Sequence, residues 1–393
     1  MIAIPEIFSY ASSLECARCK KEYSITGIKS FATCCQQPLL VRYDQPAGFY
    51  KEDLIFRERS MWRYFEMLPV MERKNIVSLG EGMTPLLPLE RSAARYGFAD
   101  LLLKDESMNP TGSFKARGIS AAVSKAKELG IQRCIVPTAG NAGGALAAYC
   151  AKAGIECTVV MPRHTPSLFK DECLLYGAEL VLVDGLINDC ARKVASLQEQ
   201  RYYYDVSTLK EPYRLEGKKT MGYEIAEQLN WQLPDVILYP TGGGTGLIGI
   251  WKAFKEMIEM GWIKPKQLPR MIAVQAQQCA PVARAFYHSG DWKAGFRPQP
   301  SLANGLAVPY PFGMDMMLDV LHESEGLVYT VSEEEMVAGV KEVARNEGML
   351  LCPEGAALWK ALLGLRDKQL VDPADRIVLL NTGSGYKYLE NIV

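Results

Sequence analysis

Histidine is scarce in this chain. Only His164, His288 and His322 occur in 393 residues, and none has another histidine or a cysteine as a close sequence neighbour. A histidine-based triad and a polyhistidine metal centre are therefore disfavoured, and any acid–base chemistry needs another proton carrier. Net charge is nearly absent: 44 Lys and Arg against 45 Asp and Glu leave −1. No bulk pull toward nucleic acid or an acidic membrane surface is expected. No apolar run approaches the length of a membrane span. Residues Met1 to Glu6 lack the basic start and apolar run of a secretory signal, so a cytoplasmic protein is expected. Internal repeats and low-complexity segments are also lacking.

Cysteine is present in an odd number, 11, scattered along the chain, which fits reduced thiols better than a disulfide framework. The length predicts two domains with a small appendage. Residues 1–45 form a short segment holding Cys16, Cys19, Cys34 and Cys35, and residues 46–75, rich in charge and aromatics, read as a helical connector. Beyond Pro85, short apolar strands (133–138, 156–161, 179–183, 235–239, 271–274 and 376–380) alternate with helical stretches. Strands buried on both faces and separated by helices predict an α/β fold: two parallel-sheet domains with helices on both faces. Residues 108–210 are expected to form a smaller domain, and 76–107 with 211–393 a larger one.

Four loops carry chemistry. Lys115 follows the turn Asn109-Pro110-Thr111-Gly112-Ser113-Phe114 and opens a helix, with Arg117 two residues on. There its amine can form a Schiff base and carry protons if its pKa is lowered; a solvated lysine near a helix start is the plainer alternative. Thr241-Gly242-Gly243-Gly244-Thr245-Gly246 joins a strand to a helix, so backbone N–H groups and the helix N-terminus can converge on a phosphate. It has neither P-loop nor dinucleotide spacing, and alone it reads equally well as a tight turn. The turn Thr138-Ala139-Gly140-Asn141 suits a carboxylate or a ring oxygen, or serves as a helix cap. Asn381-Thr382-Gly383-Ser384 follows the last strand, where α/β clefts bind ligands; its hydroxyl suits a ring nitrogen without placing a charge there.

Together these loops, in this order, with Leu79-Gly80-Glu81-Gly82-Met83-Thr84-Pro85-Leu86 and Arg214-Leu215-Glu216-Gly217-Lys218-Lys219-Thr220, make the chain resemble the threonine synthase group of fold type II pyridoxal-phosphate enzymes. The resemblance spans about Leu79 to Lys387. It implies pyridoxal 5'-phosphate bonded to Lys115, which then shuttles protons. Gly242, Gly243, Gly244, Thr245 and Gly246 are implied to hold the cofactor phosphate, Thr382 the pyridine nitrogen. Phe114 and Asn141 are implied to border the ring, and Ser113, Thr138 and Gly140 to lie at the substrate. Arg214 and Lys218, with Ser207, Thr208 and Lys210 upstream, suit a substrate phosphate, although a solvated helix start rivals this for Lys218 and Lys219. The implied reaction converts O-phospho-L-homoserine and water to L-threonine and phosphate, in a homodimer.

Three departures bear on the substrate. Ala116 stands where the group commonly has aspartate, the Asn141 turn lacks two hydroxyls, and the Gly-Gly-Gly-Thr-Gly cradle is nearer that of threonine and serine dehydratases. A β-eliminating dehydratase is thus the alternative, and a non-catalytic binding protein retaining the fold a second. Cys16, Cys19, Cys34 and Cys35 are spaced like a small zinc ribbon. The second pair is adjacent and Gln36 follows it, so structural zinc and a metal-free knuckle both stand open.

Overall fold

A computed structural model describes residues 8–45, 48–288 and 290–392; Met1 to Glu6, read above for a signal, lie outside them. Along the chain come β1 (Ala11–Cys16), β2 (Glu22–Ser24), β3 (Leu39–Tyr43), β4 (Leu86–Pro88), β5 (Asp100–Asp105), β6 (Arg133–Pro137), β7 (Glu156–Pro162), β8 (Glu179–Val183), β9 (Tyr204–Asp205), β10 (Val236–Pro240), β11 (Arg270–Ala276), β12 (Leu327–Val331) and β13 (Arg376–Asn381). Chain contacts divide the protein into two compact units. The first comprises the described residues up to Met83, Lys115–Thr220 and Glu259–Trp262; the second is built from Thr84–Phe114, Met221–Ile258 and the chain from Ile263.

Unit one holds an antiparallel sheet ordered β2-β1-β3 and a parallel sheet ordered β8-β7-β6-β9. Unit two holds a six-stranded sheet ordered β12-β11-β10-β13-β5-β4, parallel except for β4. Every residue of β10 is buried, as are all but the first of β11 and β13. Side chains alternate between the faces of a strand, so both faces of this sheet are covered. The expected α/β class with parallel sheets is the observed one.

The connector differs from expectation. Residues 46–75 contain no α-helix among those described, but three short 3-10 turns: Lys51–Phe56, Met61–Met67 and Arg73–Asn75. The physical reason is burial. All seven residues from Met61 to Met67 are buried, whereas a surface helix hides one stripe only; Tyr64 breaks the helical angles and lets the segment turn its residues inward on several sides. Met61, Trp62, Phe65, Leu68 and Val70 form a core with Ala121, so this segment is part of unit one. The unit boundaries fall at Met83/Thr84, Phe114/Lys115 and Thr220/Met221 rather than at 76, 108 and 211.

Candidate active site

In unit two the lysine loop and the Thr382 loop are sewn together. Ser113 bridges Gly383 in antiparallel fashion, Phe114 N–H donates to Thr382 O at 3.0 Å, and Ser384 N–H donates to Gly112 O at 2.9 Å. The pairing fixes Thr382 beside the residue that precedes Lys115. Thr111 and Gly112 both take positive φ, 57° and 62°, which tightens the turn before Ser113. Below them Asn381 donates through Nδ2 to Asp105 Oδ1 (2.8 Å) and accepts Cys352 N–H at 3.2 Å, anchoring the end of β13 to that of β5. Ser113 is fully buried and its Oγ has no hydrogen-bond partner.

The cradle lies between β10 and the helix Thr245–Glu259. Its first intrahelical bond is Ile248 N–H to Gly244 O, 3.0 Å, so the N–H groups of Thr245, Gly246 and Leu247 lie ahead of the ladder, at the positive end of the helix dipole. Close packing demands the glycines. A Cβ on Gly242 would stand 2.1 Å from Gly305 O, one on Gly244 (φ +77°) 2.2 Å from Met317 Sδ, and one on Gly246 1.8 Å from Tyr239 Oη. Gly305 is itself held by Glu354 Oε1, which accepts its N–H at 2.8 Å. Tyr239 meets Phe114 edge-on, ring centroids 6.3 Å apart, and so links the cradle to the lysine loop; burial pushes its phenol well above the ordinary value.

In unit one Lys115 is the half-buried first residue of the helix Lys115–Glu128. The Leu79–Gly82 strap clamps that helix through Glu81. Its carboxylate accepts from Trp62 Nε1 (2.8 Å), Ser120 Oγ (2.5 Å), Tyr149 Oη (2.5 Å) and Leu79 N (2.9 Å). Ser120 lies five residues beyond Lys115, and Tyr149 lies on Asn141–Ala153, so one buried carboxylate fixes both helices that start at candidate loops. Nothing in the local sequence of the Leu79–Leu86 motif announces this role for Glu81. At the Asn141 turn the cap position belongs to Gly140, and Asn141 is the first helical residue, so the alternative of an Asn cap is not the one that forms. Thr138 Oγ1 accepts Gly140 N–H at 3.1 Å and shapes the turn.

The Tyr213–Gln228 helix brings Arg214 and Lys218 into the interior of unit one, 2 % and 1 % exposed. Neither Lys218 nor Lys219 is solvated, against the surface alternative. Lys219 pairs with Glu216 at 2.7 Å and lies over the Tyr43 ring at 3.8 Å, tying β3 to this helix; it is structural. Arg214 Nη1 donates to Val206 O (2.5 Å), while its Nε, also buried, has no partner. Burial, then Lys115 and Arg214, hold the Lys218 amine well below its ordinary pKa. Glu211, absent from the sequence reading, accepts N–H bonds from Tyr213 and Arg214 at the start of the helix, and burial raises its pKa to about 7. Ser207 is turned toward Asp205 Oδ1, which accepts its N–H at 2.8 Å and faces its hydroxyl. Thr208 follows on the same half-buried turn.

The four N-terminal cysteines converge. Their Sγ atoms all lie within 4.8 Å of one another, Cys19 and Cys34 at 3.3 Å. Tetrahedral zinc with Zn–S of about 2.3 Å sets sulfurs about 3.8 Å apart. Lys20 and Gln36, the residues after each pair, have φ of 62° and 52°. Gln36 thus takes the left-handed conformation that glycine would supply most easily, and the adjacent pair still folds into a knuckle.

Residues 77–383 match the family described as pyridoxal-phosphate dependent enzyme. Threonine synthase of Methanocaldococcus jannaschii is 35% identical over 377 residues, covering 95% of this chain and 92% of that protein. Threonine synthase of Methanosarcina acetivorans is 33% identical over 382 residues, covering 97% and 93%. Among solved structures, maize serine racemase aligns with a TM-score of 0.65 at 23% identity, covering 78% of this chain and 92% of that one; that likeness speaks for the fold alone.

Proposed function

This chain belongs to the pyridoxal-phosphate dependent enzymes, and from that premise we propose that it is a threonine synthase, a lyase converting O-phospho-L-homoserine and water to L-threonine and phosphate. The identity to threonine synthases along nearly the whole chain supports the reaction. The observation that carries it is the buried cation cluster of unit one. Arg214 and Lys218 lie in the interior with an unpartnered guanidinium Nε, beside Lys115, an arrangement that suits a phosphate borne by the substrate. Threonine and serine offer no such anion. Helix Tyr213–Gln228 would hold the phosphate through Arg214 and Lys218, with Ser207 and Thr208 at its edge.

The residues present also fit the cofactor. A Cβ at Gly242, Gly244 or Gly246 of the cradle would collide, a helix N-terminus opens at Thr245 directly after them, and Ser113 keeps a buried hydroxyl without a partner. When bound, the cofactor supplies an electron sink that lets protons leave Cα and then Cβ. We assign its attachment to Lys115, its phosphate to Gly242–Gly246, its ring nitrogen to Thr382 and its ring edge to Phe114. Asn141, Thr138, Gly140 and Ser113 are assigned to the substrate and its carboxylate. Lys115 Nζ would take the protons from carbon and return them, so histidine is not needed. Phosphate departs from Cγ into the Arg214–Lys218 subsite, and water adds at Cβ.

Structural zinc on Cys16, Cys19, Cys34 and Cys35 is part of the proposal, supported by their convergence. So is a homodimer, on the family resemblance. No helix among the described residues is long and apolar enough to cross a membrane; a cytoplasmic location is proposed because none of the eleven cysteines is in a disulfide. The test is to supply O-phosphohomoserine and L-threonine separately. Equal phosphate and threonine are expected from the first. 2-Oxobutyrate from the second, with no phosphate from the first, overturns the reading in favour of the dehydratase. Lys115→Ala is expected to lose visible cofactor absorption and at least about a thousandfold in turnover.

A further inference from the structure

We propose that a phosphate dianion enters the Arg214–Lys218 subsite together with a proton, which settles on Lys218 Nζ. The inference rests on the reading of that subsite above and adds a proton to it.

The geometry begins with two glycines at a helix crossing inside unit one. A Cβ on Gly118 would lie 2.7 Å from Arg214 O, and 3.1 and 3.3 Å from Cε and Cγ of Lys218. A Cβ on Gly217 would lie 2.1 Å from Arg117 O. The helices Lys115–Glu128 and Tyr213–Gln228 therefore approach to backbone contact, and the Lys218 stem lies against bare backbone one turn beyond Lys115. The stem packs directly on that helix at Gly118, and Lys218 is 1 % exposed.

The charges facing Lys218 come from three places. Lys115 acts from the neighbouring helix, Arg214 from one turn earlier on its own helix, and Glu211 from the turn before it; Asp205 acts on Arg214 from the end of β9. Burial is the largest cause of the low Lys218 pKa, followed by Lys115 and Arg214, with Glu211 opposing them. Because burial leads, the displacement persists when Lys115 is engaged with cofactor. An anion close by favours the charged amine, so phosphate binding and Lys218 protonation are linked. Above the Lys218 pKa, affinity for phosphate then falls about tenfold per pH unit. Burial lowers the Arg214 pKa too, against Glu211 and Asp205, but a guanidinium starts well above a lysine amine and supplies the steadier part of the attraction.

The experiment is calorimetric titration of the holoenzyme with inorganic phosphate at pH about 8.5, where phosphate is already a dianion (second pKa near 7) and Glu211 is ionised. Two buffers of different ionisation enthalpy report the protons taken up. About one proton per bound phosphate is expected in the wild type. Lys218→Arg, which keeps the charge without titrating, is expected to bind phosphate with no uptake, and Glu211→Gln to retain it. Phosphate binding without proton uptake by the wild type overturns the inference and leaves the subsite standing, as does undiminished uptake in Lys218→Arg. Failure of the wild type to bind phosphate at all overturns the subsite and the inference together.

Discussion

Glu211 occupies the interior of unit one as a helix-start acceptor, taking N–H bonds from Tyr213 at 2.7 Å and Arg214 at 3.1 Å. Burial lifts its carboxyl from 4.5 to about 7, and the Arg214 cation opposes the rise. The folded protein therefore keeps a proton here that the unfolded chain has released. Its stabilising effect is fully present below pH 4.5 and is lost as pH rises to about 7, an effect of roughly 3 kcal/mol. Glu211→Gln is expected to remove that part of the slope, read as the difference in unfolding free energy between variant and wild type across this window. An unchanged slope contradicts the assignment. The turns and helix starts at Lys115, Gly242–Gly246 and Thr382 were legible in sequence because turn formers and glycines carry local signatures. Glu211 was not, since its pKa depends on which elements cover it. Gln36 shows the same limit: its left-handed φ is set by the cysteine knuckle, while its residue type advertises nothing of the kind.

Elements place these residues by pairings that local sequence does not announce. Ser113 meets Gly383 although the chain between them forms most of the protein, so two loops legible singly could not be joined from sequence alone. The strands and helices themselves were legible where apolar runs and glycine stops coincide, as at β8 and at Asn141–Ala153, bounded by Gly154. Residues 61–67 misled because burial on all sides looks, in composition, like an amphipathic helix. The Gly118–Gly217 crossing belongs to this scale too. In Gly217→Ala the new methyl must displace Arg117 O, a backbone atom, so the helices must part. A loss of about 1–3 kcal/mol or more is expected in denaturant unfolding. Phosphate affinity should also weaken at least severalfold, because Lys218 shifts with its helix. A Gly217→Ala protein of wild-type stability and phosphate affinity would contradict the crossing.

Across the whole molecule, the small cysteine module is fastened to the catalytic chain through Tyr43, whose hydroxyl donates to Glu216 at 2.9 Å and whose ring carries Lys219. The cluster is a poor place for free thiolates: the Cys19 thiol and its neighbours push Cys35 up to about 12, and a divalent cation inverts that preference. About one zinc per chain is expected by elemental analysis, with less than roughly a tenth contradicting the site. The reaction itself is tested most directly by running O-phospho-L-homoserine in water enriched in oxygen-18. The lyase reaction puts label in the threonine hydroxyl, none in the released phosphate, and gives equal yields of the two products, because the Cγ–O bond breaks and water adds at Cβ. Label in the phosphate, or phosphate without threonine, would contradict it.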